Sequence, residues 1–251
     1  MSRFETILVD TDADGIATVT LNRPDKHHAM NGAMIAELTE AAAGLGADAA
    51  VRAVILAATG PSFCAGGDLE WMRAQQQADR AGKIVEAGRL SAMLTALDAL
   101  PKPLIARVQG NVYGGGIGLL AVSDIAIAAE GIKFALTETR LGLIPATIGP
   151  FVVRRIGVGM ARQVFFSGNS FGPDFGLRAG LLHEVGPAAD LEGRVRRQAE
   201  AVLKTAPGAV AAAKALCLHL GRDNDIAMSI EALADRWESD EAQERIRAFL
   251  G

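Results

Sequence analysis

Short apolar segments alternate with helical segments over about the first 150 residues, and the rest of the chain has a helical pattern. Three segments are almost continuously apolar: "VRAVILAAT" (51–59), "KPLIARVQG" (102–110) and "DIAIAAE" (124–130). Such runs are typical of strands buried on both faces, and strands that alternate with helices favour a parallel sheet covered by helices. We therefore predict an α/β core over residues 1–190 and a helical C-terminal region over residues 191–251.

Local signals predict several boundaries. Segments 4–10 and 15–24 are rich in β-branched residues and predict a strand pair joined by the turn "TDADG". Residues 60–72 indicate a turn-rich loop. Pro173 stands where a helix is expected to begin, and no strand is predicted after Gly149.

Composition and charge exclude several classes of protein. The 251 residues are half apolar, and 25 Lys and Arg against 29 Asp and Glu give a net charge of −4. No basic run of the kind that binds nucleic acid or anionic membranes is present, and no apolar segment is long enough to span a bilayer. The N-terminus lacks the apolar centre of a signal peptide. We expect a cytoplasmic protein without nucleic-acid or membrane partners.

Cysteines and histidines do not indicate a metal site. Cys64 and Cys217 lie far apart without C-x-x-C spacing, and the four histidines show no ligand spacing. Because no histidine lies near Cys64 in sequence, we favour a buried small side chain over a nucleophile at this position.

The run "NVYGGGIGLLAVSD" (111–124) places glycines where alanine would stabilise a helix better, by about 1 kcal/mol per residue. The spacing matches neither G-x-G-x-x-G nor G-x-x-x-x-G-K-[ST]. A glycine turn ahead of a helix presents unpaired N–H groups at the positive end of the helix dipole. These groups can bind an anion or oxyanion. The alternative is that the glycines only allow close helix–strand packing.

A second glycine turn, "SFCAGGDL" (62–69), also follows a buried strand and precedes a helix. Two such turns can each donate one N–H to a single oxygen. A carbonyl that becomes an enolate or a tetrahedral anion needs this arrangement. For Asp68 itself, a helix N-cap is favoured over a catalytic role.

Glu138 is the single carboxylate in the mostly apolar segment "KFALTETRLGLIPATIGPFVVRRIG" (133–157). Burial would raise its pKa and make it a proton carrier near neutral pH. On the residues alone, a surface glutamate paired with Arg140 is the simpler interpretation. Both interpretations stay open at this point.

Four segments together resemble the enoyl-CoA hydratase/isomerase (crotonase) family. In chain order they are "LNRPDKHHAMN", "FCAGGDL", "VQGNVYGGGIGLLAVSDIAIA" and "FALTETRLGLIP". The resemblance covers almost the whole chain, and the two glycine turns are its most specific part. It implies an α/β fold, a crotonase-type spiral of ββα units with a C-terminal helical trimerisation region, often assembled as a dimer of trimers. It also implies an acyl-CoA thioester substrate and no redox cofactor.

The resemblance implies roles for individual residues. The family's oxyanion hole corresponds to the backbone N–H groups of Gly67 and Gly115, and its second catalytic glutamate corresponds to Glu138. The implied CoA contacts are Lys26, His27, Ala29, Ala65, Asp68 and Leu69.

The chain departs from the family at one catalytic position. Hydratases of this family usually use two glutamates, and the position of the first is Gly118 here. Glycine at this position resembles a subgroup that hydrates branched or carboxylated enoyl-CoAs, including the methylglutaconyl-CoA type of leucine degradation.

We therefore predict hydration of an enoyl-CoA to a 3-hydroxyacyl-CoA. Glu138 activates the water, and Gly67 and Gly115 hold the enolate. One alternative is a Δ3,Δ2-enoyl-CoA isomerase in which Glu138 alone moves the proton. Another is a non-catalytic acyl-CoA binder. We expect no separate cofactor and no metal, and we expect a homotrimer or a dimer of trimers.

Overall fold

The computed structural model describes residues 4–220, 230, 233–235 and 237–251. Within these residues, nine strands form two sheets. The strands are β1 (Ile7–Thr11), β2 (Ile16–Leu21), β3 (Ala53–Ala58), β4 (Ser62–Cys64), β5 (Leu104–Val108), β6 (Asn111–Tyr113), β7 (Ile125–Ala129), β8 (Phe134–Ala135) and β9 (Glu184–Gly186).

Both sheets are mainly parallel. The larger sheet has the order β1-β2-β3-β5-β7-β9, and the smaller has the order β4-β6-β8. The β1–β2 pair is antiparallel, and the other pairs are parallel. All six residues of β3 are buried, as expected for a strand covered on both faces. The predicted parallel sheet is confirmed.

Helices connect the strands. They are α1 (Gly32–Ala47), α2 (Leu69–Gln77), α3 (Arg80–Asp98), α4 (Gly115–Ala121), α5 (Gly149–Ser167), α6 (Pro173–Arg178), α7 (Leu191–Leu203), α8 (Pro207–Leu220) and α9 (Asp240–Leu250). Side chains of Asn31, Asp68, Asp79 and Ser239 accept hydrogen bonds from backbone N–H groups at the starts of four helices, and so cap them. Pro173 is the first residue of α6, as predicted.

Three successive units each give one strand to each sheet before a helix follows. The pairs β3–β4, β5–β6 and β7–β8 precede α2, α4 and α5 respectively. This repeat is the ββα spiral that the resemblance implies. Because β4, β6 and β8 are adjacent parallel strands, the residues that follow them start at the same edge of the smaller sheet. The two glycine turns and Glu138 are these residues.

Three short strands of the structure are not predicted from the sequence. It predicts a loop over residues 60–72 and no strand after Gly149, and both expectations are wrong because β4 and β9 lie there. It also misses β6. Each of these strands has three residues, which is too short for a periodic pattern, and each is defined by pairing with a distant strand.

The C-terminal third of the chain packs on the α/β core. α7 packs against β3, β5 and β7 through Leu191, Val195 and Ala199, so the predicted boundary after residue 190 falls before a helix that covers the larger sheet. Of the helices formed by the described residues, none alone has the length and apolar character needed to span a membrane.

Candidate active site

The first glycine turn joins β4 to α2 and is held by backbone hydrogen bonds. Gly66 has a φ of +92°, a conformation that L side chains rarely adopt. Its carbonyl accepts a hydrogen bond from the N–H of Met30 at 2.7 Å, and the N–H of Asp68 donates to the Met30 carbonyl at 2.9 Å. Gly67 therefore lies between two residues whose positions are fixed.

The second glycine turn joins β6 to α4. Gly114 has φ +48° and ψ −120°, and its N–H donates to the Ala135 carbonyl of β8 at 3.1 Å. Gly115 is the first residue of α4, so its N–H has no preceding helical carbonyl to bond. A Cβ added to Gly115 would lie 2.8 Å from the Met30 Cε. The backbone at Gly114 and Gly115 is therefore held in place, and the Met30 side chain lies close to it.

The two glycine turns contact each other. A Cβ built on Gly66 would lie 3.7 Å from the Gly114 Cα, and a Cβ built on Gly114 would lie 3.5 Å from the Gly66 Cα. Within the part of the chain that the structure describes, the N–H groups of Gly67 and Gly115 donate to no protein acceptor. Two adjacent turns thus leave two free donors, which is what an oxyanion site requires.

Glu138 begins a short 3-10 helix (Glu138–Leu141) directly after β8. Its Oε1 would lie 3.6 Å from a Cβ on Gly114, so the carboxyl group is next to the second glycine turn. Its Oε2 is buried without a hydrogen-bond partner among the described residues. Burial raises the pKa of the Glu138 carboxyl to about 7. Glu138 as a whole residue is partly exposed, but its carboxyl group is directed inward, and Arg140 donates a hydrogen bond to the Asn169 Oδ1 at 3.1 Å.

Gly118 has no room for a side chain. A Cβ at this position would lie 2.8 Å from the Ile148 Cγ2 and 3.3 Å from the Leu94 Cδ1. Hydrocarbon therefore occupies the space next to the position that the resemblance assigns to the family's first glutamate.

Replacing Gly118 with Ala is expected to lower the free energy of unfolding by about 1–3 kcal/mol, because the added methyl overlaps Ile148. In an Ile148→Ala background the closest contact, with the Ile148 Cγ2, is removed, so Gly118→Ala should cost at least about 1 kcal/mol less there. Urea unfolding of the wild type, both single variants and the double variant measures this coupling. Additive effects would show that Ile148 does not occupy the space beside Gly118.

A cavity of about 240 Å³ lies in front of the glycine turns and Glu138. This is below the roughly 300–1,000 Å³ that encloses a drug-sized ligand, so its size suits an acyl group. Most of its wall is hydrocarbon, from α2 and α3, from residues 141–148 and from the C-terminal region.

The C-terminal contribution to the cavity is the part of the site that sequence reasoning misses. Leu233, Trp237 and Phe249 line the cavity, and we call these three residues the roof. Trp237 also packs with Leu143 and Ile246 in a small apolar cluster separate from the main core. Their helical spacing is visible in the sequence, but nothing in it indicates which surface they cover.

The predicted CoA contacts occupy two kinds of position. Ala65 and Leu69 line the cavity, whereas Lys26, His27, Ala29 and Asp68 do not. The latter group lies beside the first glycine turn: the Ala65 N–H donates to the His27 carbonyl at 2.9 Å. Their contact with CoA stays a prediction.

Asp68 is the N-cap of α2, as predicted. Its Oδ1 accepts hydrogen bonds from the N–H groups of Glu70 and Trp71 at 2.9 and 3.3 Å, and its Oδ2 accepts one from Arg23 at 3.0 Å. Burial by itself would raise the pKa of this carboxyl, but these hydrogen bonds outweigh burial and hold the pKa below its usual value. Asp68 is thus fully engaged in fixing the turn.

Cys64 is fully buried, and burial raises the pKa of its thiol to about 12. The thiolate is therefore scarce at neutral pH, and the predicted role as a buried small side chain is confirmed. No group of three or more His, Cys, Asp or Glu side chains suited to a metal ion occurs among the described residues.

Comparison with known proteins supports one family throughout. The family model described as enoyl-CoA hydratase/isomerase matches residues 11–250. The fold is similar to an enoyl-CoA hydratase from Shewanella pealeana, with 33% identity, a TM-score of 0.84 and coverage of 98% of this chain and 94% of the other.

Two further solved structures have a similar fold. An enoyl-CoA hydratase from Mycobacterium avium is 30% identical, with a TM-score of 0.87 and coverage of 100% and 97%. The AtuE protein of Pseudomonas aeruginosa is 38% identical, with a TM-score of 0.84 and coverage of 98% and 96%. The chain has the crotonase fold and belongs to the enoyl-CoA hydratase/isomerase family.

Proposed function

We propose that this chain catalyses the hydration of an enoyl-CoA thioester to a 3-hydroxyacyl-CoA. One observation carries the proposal: a buried carboxyl group with an unpaired oxygen, Glu138, lies beside two touching glycine turns with free N–H groups. Membership of the family supports the thioester as the substrate class.

In the proposed mechanism, the thioester carbonyl oxygen accepts hydrogen bonds from the N–H groups of Gly67 and Gly115. Ionised Glu138 takes a proton from a water molecule while the water oxygen forms a bond to C3. The C2–C3 π electrons move toward the carbonyl, and the resulting enolate is stabilised by the two N–H groups. Protonated Glu138 then returns a proton to C2, so water is added overall and the carboxylate is restored.

A pKa of about 7 suits both halves of this cycle. The ionised form is populated at neutral pH and accepts the proton, and the protonated form is acidic enough to return it. All groups in these steps come from the chain and the substrate, so the mechanism calls for no separate cofactor.

Δ3,Δ2-enoyl-CoA isomerisation is the second candidate, and the wall beside Gly118 favours it. Ile148 and Leu94 offer no polar group to hold a water molecule against a second acid. In this reaction Glu138 removes a proton from C2 of a 3-enoyl-CoA and returns it to C4, so one carboxyl group is sufficient and water takes no part.

We also propose that the chain assembles as a homotrimer or a dimer of trimers. Val158 and Phe166 are 62% and 68% exposed on one face of α5, and Arg162 lies between them in the helix, with its guanidinium 5.7 Å from the Phe166 ring centroid. An exposed stripe with two large apolar side chains supports burial against another copy.

Assays on the purified protein separate these functions. Crotonyl-CoA should lose its conjugated-thioester absorbance and give 3-hydroxybutyryl-CoA. 3-Hexenoyl-CoA should instead gain that absorbance if the chain is an isomerase. Binding of both thioesters without turnover would contradict both reactions and favour an acyl-CoA binder.

A further inference from the structure

The cavity wall formed by the described residues contains no lysine, arginine or histidine side chain. Its polar side chains are hydroxyl groups, the Trp71 indole and Glu138. The Trp71 N–H already donates to Glu86 at 3.3 Å. The only charged group at the wall within the described chain is therefore the negative carboxylate of Glu138.

We propose, building on the thioester activity proposed above, that the acyl group bound in this cavity is an uncharged hydrocarbon chain and does not end in a carboxylate. Of the branched and the carboxylated enoyl-CoAs that the sequence leaves open, the proposal favours those without a carboxylate. A carboxylate placed among Leu90, Leu143 and Ile148 would lose its hydration without gaining a cationic partner, which is costly.

Glu138 adds a second penalty for an anionic acyl group. Like charges in a shared, poorly hydrated site disfavour ionisation of both groups. A substrate carboxylate would thus hold Glu138 in its protonated form, which cannot take a proton from water or from C2. A neutral acyl chain leaves Glu138 able to ionise near neutral pH.

Among the described residues, two arginines near the cavity are already bonded to other groups. Arg80 forms ion pairs with Asp235 and with Glu238. Arg73 donates to the Leu250 carbonyl at 3.1 Å. Both arginines are exposed, bond to the C-terminal region, and do not line the cavity.

Lys83 is a buried cation on α3, the helix that also supplies Leu90 to the cavity wall. It does not line the cavity. It precedes Leu90, the residue of this helix that lines the cavity, by seven residues, which is about 10 Å along a helix that rises 1.5 Å per residue. About two helical turns therefore separate Lys83 from the cavity wall, and the Lys83→Met variant below tests whether its charge matters.

The roof adds apolar surface to the cavity wall. Trp237 is 4% exposed and lines the cavity together with Leu233 and Phe249, of which Phe249 is 56% exposed. Contact with these side chains is favourable for hydrocarbon, by about 25 cal/mol for each Å² of apolar surface buried, and it offers no cation to a terminal carboxylate.

Two matched pairs of thioesters test the proposal. Pentanoyl-CoA and glutaryl-CoA are unreactive and differ by a terminal carboxylate, and 2-pentenoyl-CoA and glutaconyl-CoA are the corresponding enoyl pair. Calorimetry should show glutaryl-CoA binding about a hundredfold more weakly, and kcat/KM should fall similarly for glutaconyl-CoA. A difference below tenfold in the binding pair overturns the proposal. Because the binding pair needs no turnover, inactivity toward both enoyl-CoAs would contradict the proposed function alone.

Two sets of variants locate the effect. Leu90→Lys should bind glutaryl-CoA at least tenfold more tightly than Leu90→Gln, a matched polar residue without the charge. Lys83→Met should leave the ratio of the two dissociation constants unchanged. A wild-type preference for glutaryl-CoA that Lys83→Met removes would assign Lys83 as a carboxylate anchor and overturn the proposal.

Discussion

Glu138→Gln is expected to lower kcat/KM for the preferred enoyl-CoA by about 10²–10⁴-fold, the range that general acid–base groups contribute. Glutamine keeps the volume and the hydrogen-bonding atoms of the side chain but cannot accept a proton from water or from C2. Steady-state kinetics at pH 8 measure the loss. Glu130→Gln is the matched control, since Glu130 is an exposed carboxylate at the end of β7. A loss below tenfold in Glu138→Gln would remove Glu138 from the mechanism.

The pH dependence of kcat/KM in the wild type is a second test of the role of Glu138. Burial raises the pKa of Glu138 to about 7, so kcat/KM should rise with pH through about 7 and level off above it, as the ionised base forms. The unfolded chain ionises this carboxyl near its ordinary value of about 4.3. Between these two values the folded state holds the extra proton, so stability falls as pH rises and is lowest above 7.

Glu138→Gln removes that pH-dependent penalty. The variant should therefore gain stability relative to the wild type as pH rises from 5 to 8, by an amount on the order of 3 kcal/mol, because about two pH units of this interval lie below the folded-state pKa. Urea unfolding at both pH values measures this difference. An equal difference at pH 5 and pH 8 would mean that the Glu138 carboxyl is not held protonated by burial.

The long buried strands could be predicted from sequence because their patterns are local. β3 carries an uninterrupted apolar run, and such a run favours a strand covered on both faces. β4, β6 and β9 could not be predicted, since three residues show no period and their strand character comes from pairing with distant segments. The smaller sheet, which brings the two glycine turns and Glu138 together, was therefore not predicted. Its second strand, β6, nevertheless lies within the glycine-rich segment 111–124.

The site could be predicted only in part. Glycines placed where alanine would be better show that the backbone is closely approached, and one carboxylate in an apolar segment marks Glu138 as unusual. The contact between the two turns and the burial of Glu138 depend on tertiary packing. The same is true of Ile148 beside Gly118 and of the roof. The proposal of a neutral acyl group depends on these features, and no local pattern encodes them.

Gly114→Ala is expected to lower kcat by about 10²–10³-fold, the effect of losing one oxyanion donor, and to lower the free energy of unfolding by about 1–3 kcal/mol. Gly114 has φ +48° and ψ −120°, which an alanine adopts only with strain. Relief of that strain rotates the peptide that carries the Gly115 N–H. The added methyl would also lie 3.6 Å from the Glu138 Oε1 and 3.5 Å from the Gly66 Cα.

Gly131→Ala is the matched control for this substitution. Gly131 also has a positive φ, +75°, and a Cβ there meets no atom within 4 Å, so it bears the backbone strain without contacting the site. Both variants should unfold at lower urea concentration than the wild type, and only Gly114→Ala should lose kcat. Urea unfolding and steady-state kinetics on the two proteins separate strain from catalysis. If Gly114→Ala kept kcat within threefold of Gly131→Ala, the second glycine turn would not hold the thioester oxygen. The reason is that a displaced N–H donor at that position cannot stabilise an enolate as well as an aligned one.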